Sequence, residues 1–204
     1  MLNEHPLNEI QKVENEIYRL HRRLESLRKE SPAMEVKNYI FHSLNAEVTL
    51  RDLFADKSRL IAIHNMGQGC RSCTLWGDGL NGFLPALEDQ FSVVMLSKDA
   101  PEDQRRFANS RGWRFNMVSH GGGLYIREQS VLAGQNNMPG IVCYEKKGER
   151  IFRKNSSVFG PGDDFCALWS ILSLAGVGME EWTPQYSYWR RPERLEDGGQ
   201  NLSL

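Results

Sequence analysis

The sequence predicts an α/β chain, a central mixed sheet flanked by helices, with a long helix appended at its N-terminus. Three observations predict it. Segments of strand length and apolar character at residues 59–65, 91–97 and 115–119 alternate with helical segments, the pattern of a parallel sheet. A hairpin pattern at 141–145 and 149–154, turning at Lys147-Gly148, then precedes a last helix and adds an antiparallel portion. The composition, 204 residues with 40% hydrophobic and 25% charged, suits one soluble domain with an appendage and excludes wholesale disorder.

Taken in order, residues 8–30 form the clearest helix. Ile10, Val13, Ile17, Leu20, Leu24 and Leu27 step by three and four and leave a narrow apolar stripe on a charged surface. Asn8 is placed to cap the first turn with Gln11 reaching back, and Ser31-Pro32 stops the helix. Such an a/d stripe suits a coiled-coil seam and hence a homodimer through this helix; the alternative is a helix lying across its own domain. Residues 36–41 and 47–49 read as a hairpin around Asn45, and 50–56 as a short helix or turn. The strand 59–65 leads to a helix at 70–89 that Gly77, Gly79 and Gly82 weaken. After the strand 91–97, Asp99 and Pro101 open a helix at 101–111. A glycine-rich loop, 120–123, follows the strand 115–119, and 124–137 has no clear period. The last helix is expected over 163–175, capped by Gly162-Asp163 and ended at Gly176. The organisation is thus an N-terminal amphipathic helix (1–32), a main domain (33–182) and an irregular, polar tail (183–204).

Several function classes fall away. Formal net charge is −1, from 25 basic and 26 acidic residues, with no basic stripe, so no nucleic-acid partner is expected. No apolar run reaches the ~18 residues a membrane span needs, and the N-terminus lacks a signal-peptide layout. A cytoplasmic location without membrane contact is the expectation. In a reducing compartment Cys70, Cys73, Cys143 and Cys166 do not read as a disulfide framework. The glycines form no nucleotide-binding frame, and no cofactor is expected.

Cys70-Arg71-Ser72-Cys73 follows a buried strand and opens a helix. A cysteine at a helix N-terminus meets free N–H groups and the helix dipole, which favour its thiolate, and Arg71 adds a positive charge. The second cysteine, one turn on, is within reach of a mixed disulfide on the first. The same pair also serves as half a zinc site. No second C-x-x-C or H-x-x-x-H follows, so a closed site would draw on scattered ligands such as His64, His120 and Cys143; no metal is expected. Cys143 and Cys166 read as small buried hydrophobes, Trp76 as core or wall, and His120 as an exposed loop residue. Asp78 and Asp99 show no acid–base partner.

From about Leu60 to Ala175 the sequence resembles the thioredoxin superfamily. Besides the cysteine pair, the resemblance rests on Met138-Pro139-Gly140-Ile141-Val142, followed by a turn at Gly148; it implies a cis Pro139 facing the cysteines. More narrowly, His64-Asn65-Met66, Gly69 to Trp76 and Asp78 to Gly82 look like a bacterial thioredoxin-like family of uncharacterised function. Asn38 to Phe41, Leu50 to Phe54 and Tyr188-Trp189-Arg190-Arg191 share that likeness. There are departures. Gly69 stands where thioredoxins carry tryptophan, and the intervening dipeptide is Arg-Ser. Peroxiredoxins carry Pro-x-x-x-Thr-x-x-Cys, where this chain has Ile63 and Gly67, so peroxidase is the lesser enzyme expectation. His64 lies six residues before Cys70, where thioredoxins hold a buried acid behind the second cysteine. The resemblance therefore implies His64 as proton acceptor for Cys73, against a core histidine or a metal ligand beside the cysteines.

The leading functional expectation is a thiol–disulfide oxidoreductase. Cys70 would be its nucleophile and Cys73 its resolving thiol, acting on a protein or small-molecule thiol or disulfide. The rivals are a non-catalytic binding module on the same scaffold and a metal-binding protein.

Overall fold

The structure, a computed structural model, describes residues 6–185. In chain order these residues form α1 (Pro6–Glu30), β1 (Met34–Val36), β2 (Ile40–His42), β3 (Glu47–Thr49) and a 3-10 turn at Asp52–Phe54. They continue with β4 (Arg59–His64), α2 (Arg71–Glu88), β5 (Ser92–Ser97), α3 (Pro101–Arg111), β6 (Asn116–Ser119) and α4 (Leu124–Gln129). The last elements are β7 (Gly140–Lys147), β8 (Arg150–Val158) and α5 (Ala167–Leu174). One eight-stranded sheet runs in the order β1-β8-β7-β4-β5-β6-β2-β3. Strands β4, β5 and β6 are parallel, joined by the crossover helices α2 and α3, and β7 pairs antiparallel to β4. The fold class is the expected one.

Both faces of the sheet are covered, which is why β4 and β5 are apolar at successive positions. Side chains alternate between the faces. Leu60 and Ala62 join Val94, Leu96, Tyr125 and Tyr144 in one cluster. Ile61 and Ile63 join Val93, Met95, Trp76, Leu80 and Leu84 in the other, under α2. Gly77 is what lets α2 sit so close there. A Cβ at this position would lie 2.5 Å from the Trp113 ring.

Strands β7 and β8 run longer than the expected 141–145 and 149–154, and four further differences from expectation have a local account. Helix α1 starts at Pro6, a residue whose fixed φ suits a first turn, so Asn8 lies inside the helix. Val36 belongs to β1, which pairs with β8 at one end of the sheet; only Ile40–His42 forms the hairpin with Glu47–Thr49. Between them Asn38 accepts the Arg51 N–H at 2.9 Å and Tyr39 turns into the core. Residues 124–137 hold the short helix α4 followed by turns. Helix α5 begins at Ala167, because the Asp163 carboxylate is engaged in a turn and accepts the N–H groups of Gly160 and Phe165. Of the expected tail, residues 186–204, including Tyr188 to Arg191, lie outside the described residues.

Residues 8–30 are all solvent-exposed. Helix α1 therefore does not lie across its own domain. Its C-terminal carbonyls are satisfied from β8: Lys154 donates to Lys29 and Ser31, and Asn155 donates to Arg28. Among the described residues no helix is long and apolar enough to cross a membrane.

Candidate functional site

Strand β4 ends at His64, and the loop 65–69 carries the chain to Cys70, the N-cap of α2. Two side chains and a glycine shape that loop. Asn65 accepts the Gly67 N–H at 2.8 Å, and Asp99, after β5, accepts the Gln68 N–H at 2.7 Å. Gly67 has φ +109°, and a Cβ there would meet the Asp99 carboxylate at 2.7 Å. Only glycine fits that close approach.

Cys70 Sγ accepts the Cys73 N–H at 3.1 Å, the bond an N-cap side chain makes. The thiol of Cys73 donates to it as well, and together with the Ser72 N–H these bonds hold the Cys70 thiol down to about 6. Arg71 is exposed, and its charge is not what lowers Cys70. Cys73 is 3% exposed, and donating to Cys70, together with burial, pushes its thiol far above the ordinary range. The site thus holds one ionised, half-buried sulfur over one protonated, buried sulfur. All four cysteines are unbridged.

His64 is elsewhere. As an even-numbered residue of β4 it shares the face of Leu60 and Ala62, opposite α2, where its Nε2 meets the Tyr125 hydroxyl at 2.7 Å. Burial holds its imidazole down to about 3, so it is neutral, and its Nδ1 is buried without a partner among the described residues. The expected place beneath helix α2 is not where this side chain lies. The chain of hydrogen bonds continues from Tyr125 to Tyr144 at 3.1 Å and on through Gln129 and Tyr39 to Glu128. Nor are Cys70, Cys73 and His64 gathered as metal ligands: among the described residues no three His, Cys, Asp or Glu side chains form such a group.

Pro139 is buried at the start of β7, where Gly140 pairs with His64, and the loop before it touches the cysteine loop through Asn137 Nδ2 and the Met66 carbonyl at 3.5 Å. Among the described residues no peptide bond is cis, so the expected cis Pro139 is not found. Asn137, in the turn before it, has φ +60°.

Other expectations are corrected by packing. His120 is 6% exposed rather than a surface loop residue, and its burial holds the imidazole down to about 4. Asp78 does have partners, Arg111 and the Trp113 indole N–H. Asp99 has the Gln68 amide. Trp76 is core, stacked on Phe159 at 5.5 Å with its N–H on Asp163. Tyr125 and Asp99 had no motif to announce them, since each acts through a partner distant in sequence.

The chain matches, over residues 6–195, the family described as "Bacterial protein of unknown function (DUF899)". It is a member of that family. Solved structures similar to this DUF899 chain include Peroxidoxin BcpB from Mycobacterium tuberculosis, 15% identical, covering 71% of this chain and 94% of that one with a TM-score of 0.53. A PrxQ mutant from Xylella fastidiosa is 15% identical over 71% and 96%, with a TM-score of 0.51. AhpC from Enterococcus faecalis is 12% identical over 71% and 90%, also at 0.51. At these identities the likeness is one of fold, and the fold is thioredoxin-like. No curated protein matches the sequence.

Proposed function

We propose that this DUF899 protein is a thiol–disulfide oxidoreductase. The observation that carries the reading is the asymmetry of the pair: Cys70 at the helix N-terminus with its thiol near 6, and Cys73 buried behind it with its thiol raised. A thiolate present at neutral pH attacks one sulfur of a substrate disulfide. The Cys70–substrate bond forms, the substrate S–S bond breaks, and the leaving thiolate takes a proton. Once Cys70 is in the mixed disulfide it no longer accepts the Cys73 proton, so the main cause of the raised Cys73 pKa is gone. Cys73 then ionises, its proton passing to the departing substrate thiolate, and attacks Cys70 Sγ. The products are a Cys70–Cys73 disulfide and a substrate reduced by two electrons. An external dithiol restores the pair. His64, across the sheet, takes no part.

Peroxide reduction, the activity that the names of the similar structures denote, gains no support from the cysteine loop. Gly67 stands in the threonine slot of the Pro-x-x-x-Thr-x-x-Cys pattern and offers no hydroxyl, and a Cβ there would meet the Asp99 carboxylate at 2.7 Å. Insulin reduction with dithiothreitol as donor tests the proposal, alongside consumption of hydrogen peroxide. Wild type should reduce insulin, Cys70→Ser should not, and Cys73→Ser should accumulate a mixed disulfide visible by mass. Equal insulin reduction by wild type and Cys70→Ser would overturn the assignment.

A further inference from the structure

Helix α1 is a 25-residue helix, about 37 Å long, with no face buried in its own domain. Ile10, Val13, Ile17, Leu20, Leu24 and Leu27 are 54%, 53%, 48%, 56%, 37% and 54% exposed. Isolated helices are marginal in water, and most helical stability comes from packing an apolar face. Six apolar residues at strict a and d positions therefore call for a second helix of the same pitch.

We infer that the stripe is covered by α1 of a second copy of this chain, running antiparallel. The charges beside the stripe choose the direction. With Ile10, Ile17 and Leu24 at a, the g positions are Glu9, Glu16, Arg23 and Glu30, and the e positions are Glu14, His21 and Arg28. In a parallel, in-register pair each g residue faces the e residue five positions on in the other chain. That sets Glu9 against Glu14 and Arg23 against Arg28, leaving only Glu16 against His21 favourable. In an antiparallel pair centred between Ile17 and Leu20, g meets g and e meets e. Glu16 then faces Arg23 of the second copy twice, and Glu14 faces His21 twice, with one repulsive contact, Glu9 against Glu30, at each end. His21 lies 3.7 Å from Asp164 of its own chain, so Glu16–Arg23 is the pair that decides. The centre of this seam falls at the middle of the helix, and the two domains hang from opposite ends.

Sedimentation of the full-length protein, with its variants, tests the inference independently of any redox activity. Wild type should be a dimer, and Ile17→Asp should be a monomer whose domain melts at the wild-type temperature, since that side chain is exposed and belongs to neither core cluster. Arg23→Glu should weaken the dimer roughly tenfold, and Glu16→Arg combined with it should restore the association. A parallel pair predicts the reverse for Arg23→Glu, which would then face Arg28 and bind more tightly; that result overturns the antiparallel arrangement. A monomeric wild type at high concentration overturns the inference outright. If deleting residues 186–204 then makes such a monomer associate, the stripe belongs to that segment.

Discussion

The Cys73 side chain acts on Cys70 through its proton, and that gives a direct test. Iodoacetamide alkylation of Cys70 should show a midpoint near pH 6, and Cys73→Ala should move the midpoint up, because the first cause of the depression is the Cys73 thiol. A depressed thiol stabilises the reduced fold above its unfolded pKa and loses that effect as pH falls towards 6. Reduced protein should thus gain stability relative to oxidised protein as pH rises from about 6 to about 9. On the other face of the sheet Tyr125→Phe leaves His64 with neither ring nitrogen bonded, at a cost of about 1–3 kcal/mol by urea unfolding. The same variant should alkylate at Cys70 with the wild-type midpoint, because the two groups lie on opposite sides of β4. A shifted midpoint would reconnect His64 to the site.

Helix α2 offers a paired test of packing against propensity. Alanine is the better helix former at either Gly77 or Gly79, by up to about 1 kcal/mol. At Gly79 a Cβ meets nothing within 4 Å, so Gly79→Ala should stabilise by nearly that amount. At Gly77 it meets Trp113, and overpacking should make Gly77→Ala destabilising by about 1–3 kcal/mol. Urea midpoints of the two variants decide it. Most elements were legible because their signals are local: the apolar runs of β4 and β5, Pro101 in the first turn of α3, and the 3-4 stepping of α1. Facing was not legible. Residues 60–63 are apolar throughout, so nothing in the run says on which side His64 emerges. The start of α5 was hidden for a different reason, since Asp163 looks like a cap until its turn and the Trp76 indole are in place. The pair Cys70 and Cys73 was legible from spacing and context, but the source of the Cys70 depression, a neighbouring thiol rather than Arg71, was not.

For the molecule as a whole, the parallel centre followed from the alternation of strands and helices, while the ends of the sheet depend on long-range pairing that no local pattern encodes. Two buried histidines set its tolerance of acid. His64 and His120 are held neutral down to about 3 and 4, whereas in the unfolded chain both gain protons near 6.5. Stability from this source is full above 6.5 and is lost progressively as pH falls towards 3. Thermal melts against pH should show that decline, and His120→Asn should flatten it. The tight approach of Gly67 to Asp99 carries an evolutionary consequence. A threonine at 67 would clash with the carboxylate and strain a backbone at φ +109°, so a descendant could not acquire that residue in one step. Asp99 would first have to give way and release the Gln68 amide it holds, and that intermediate would have lost the shape of its cysteine loop before gaining the threonine. Selection therefore meets a valley between this loop and one that carries threonine at 67.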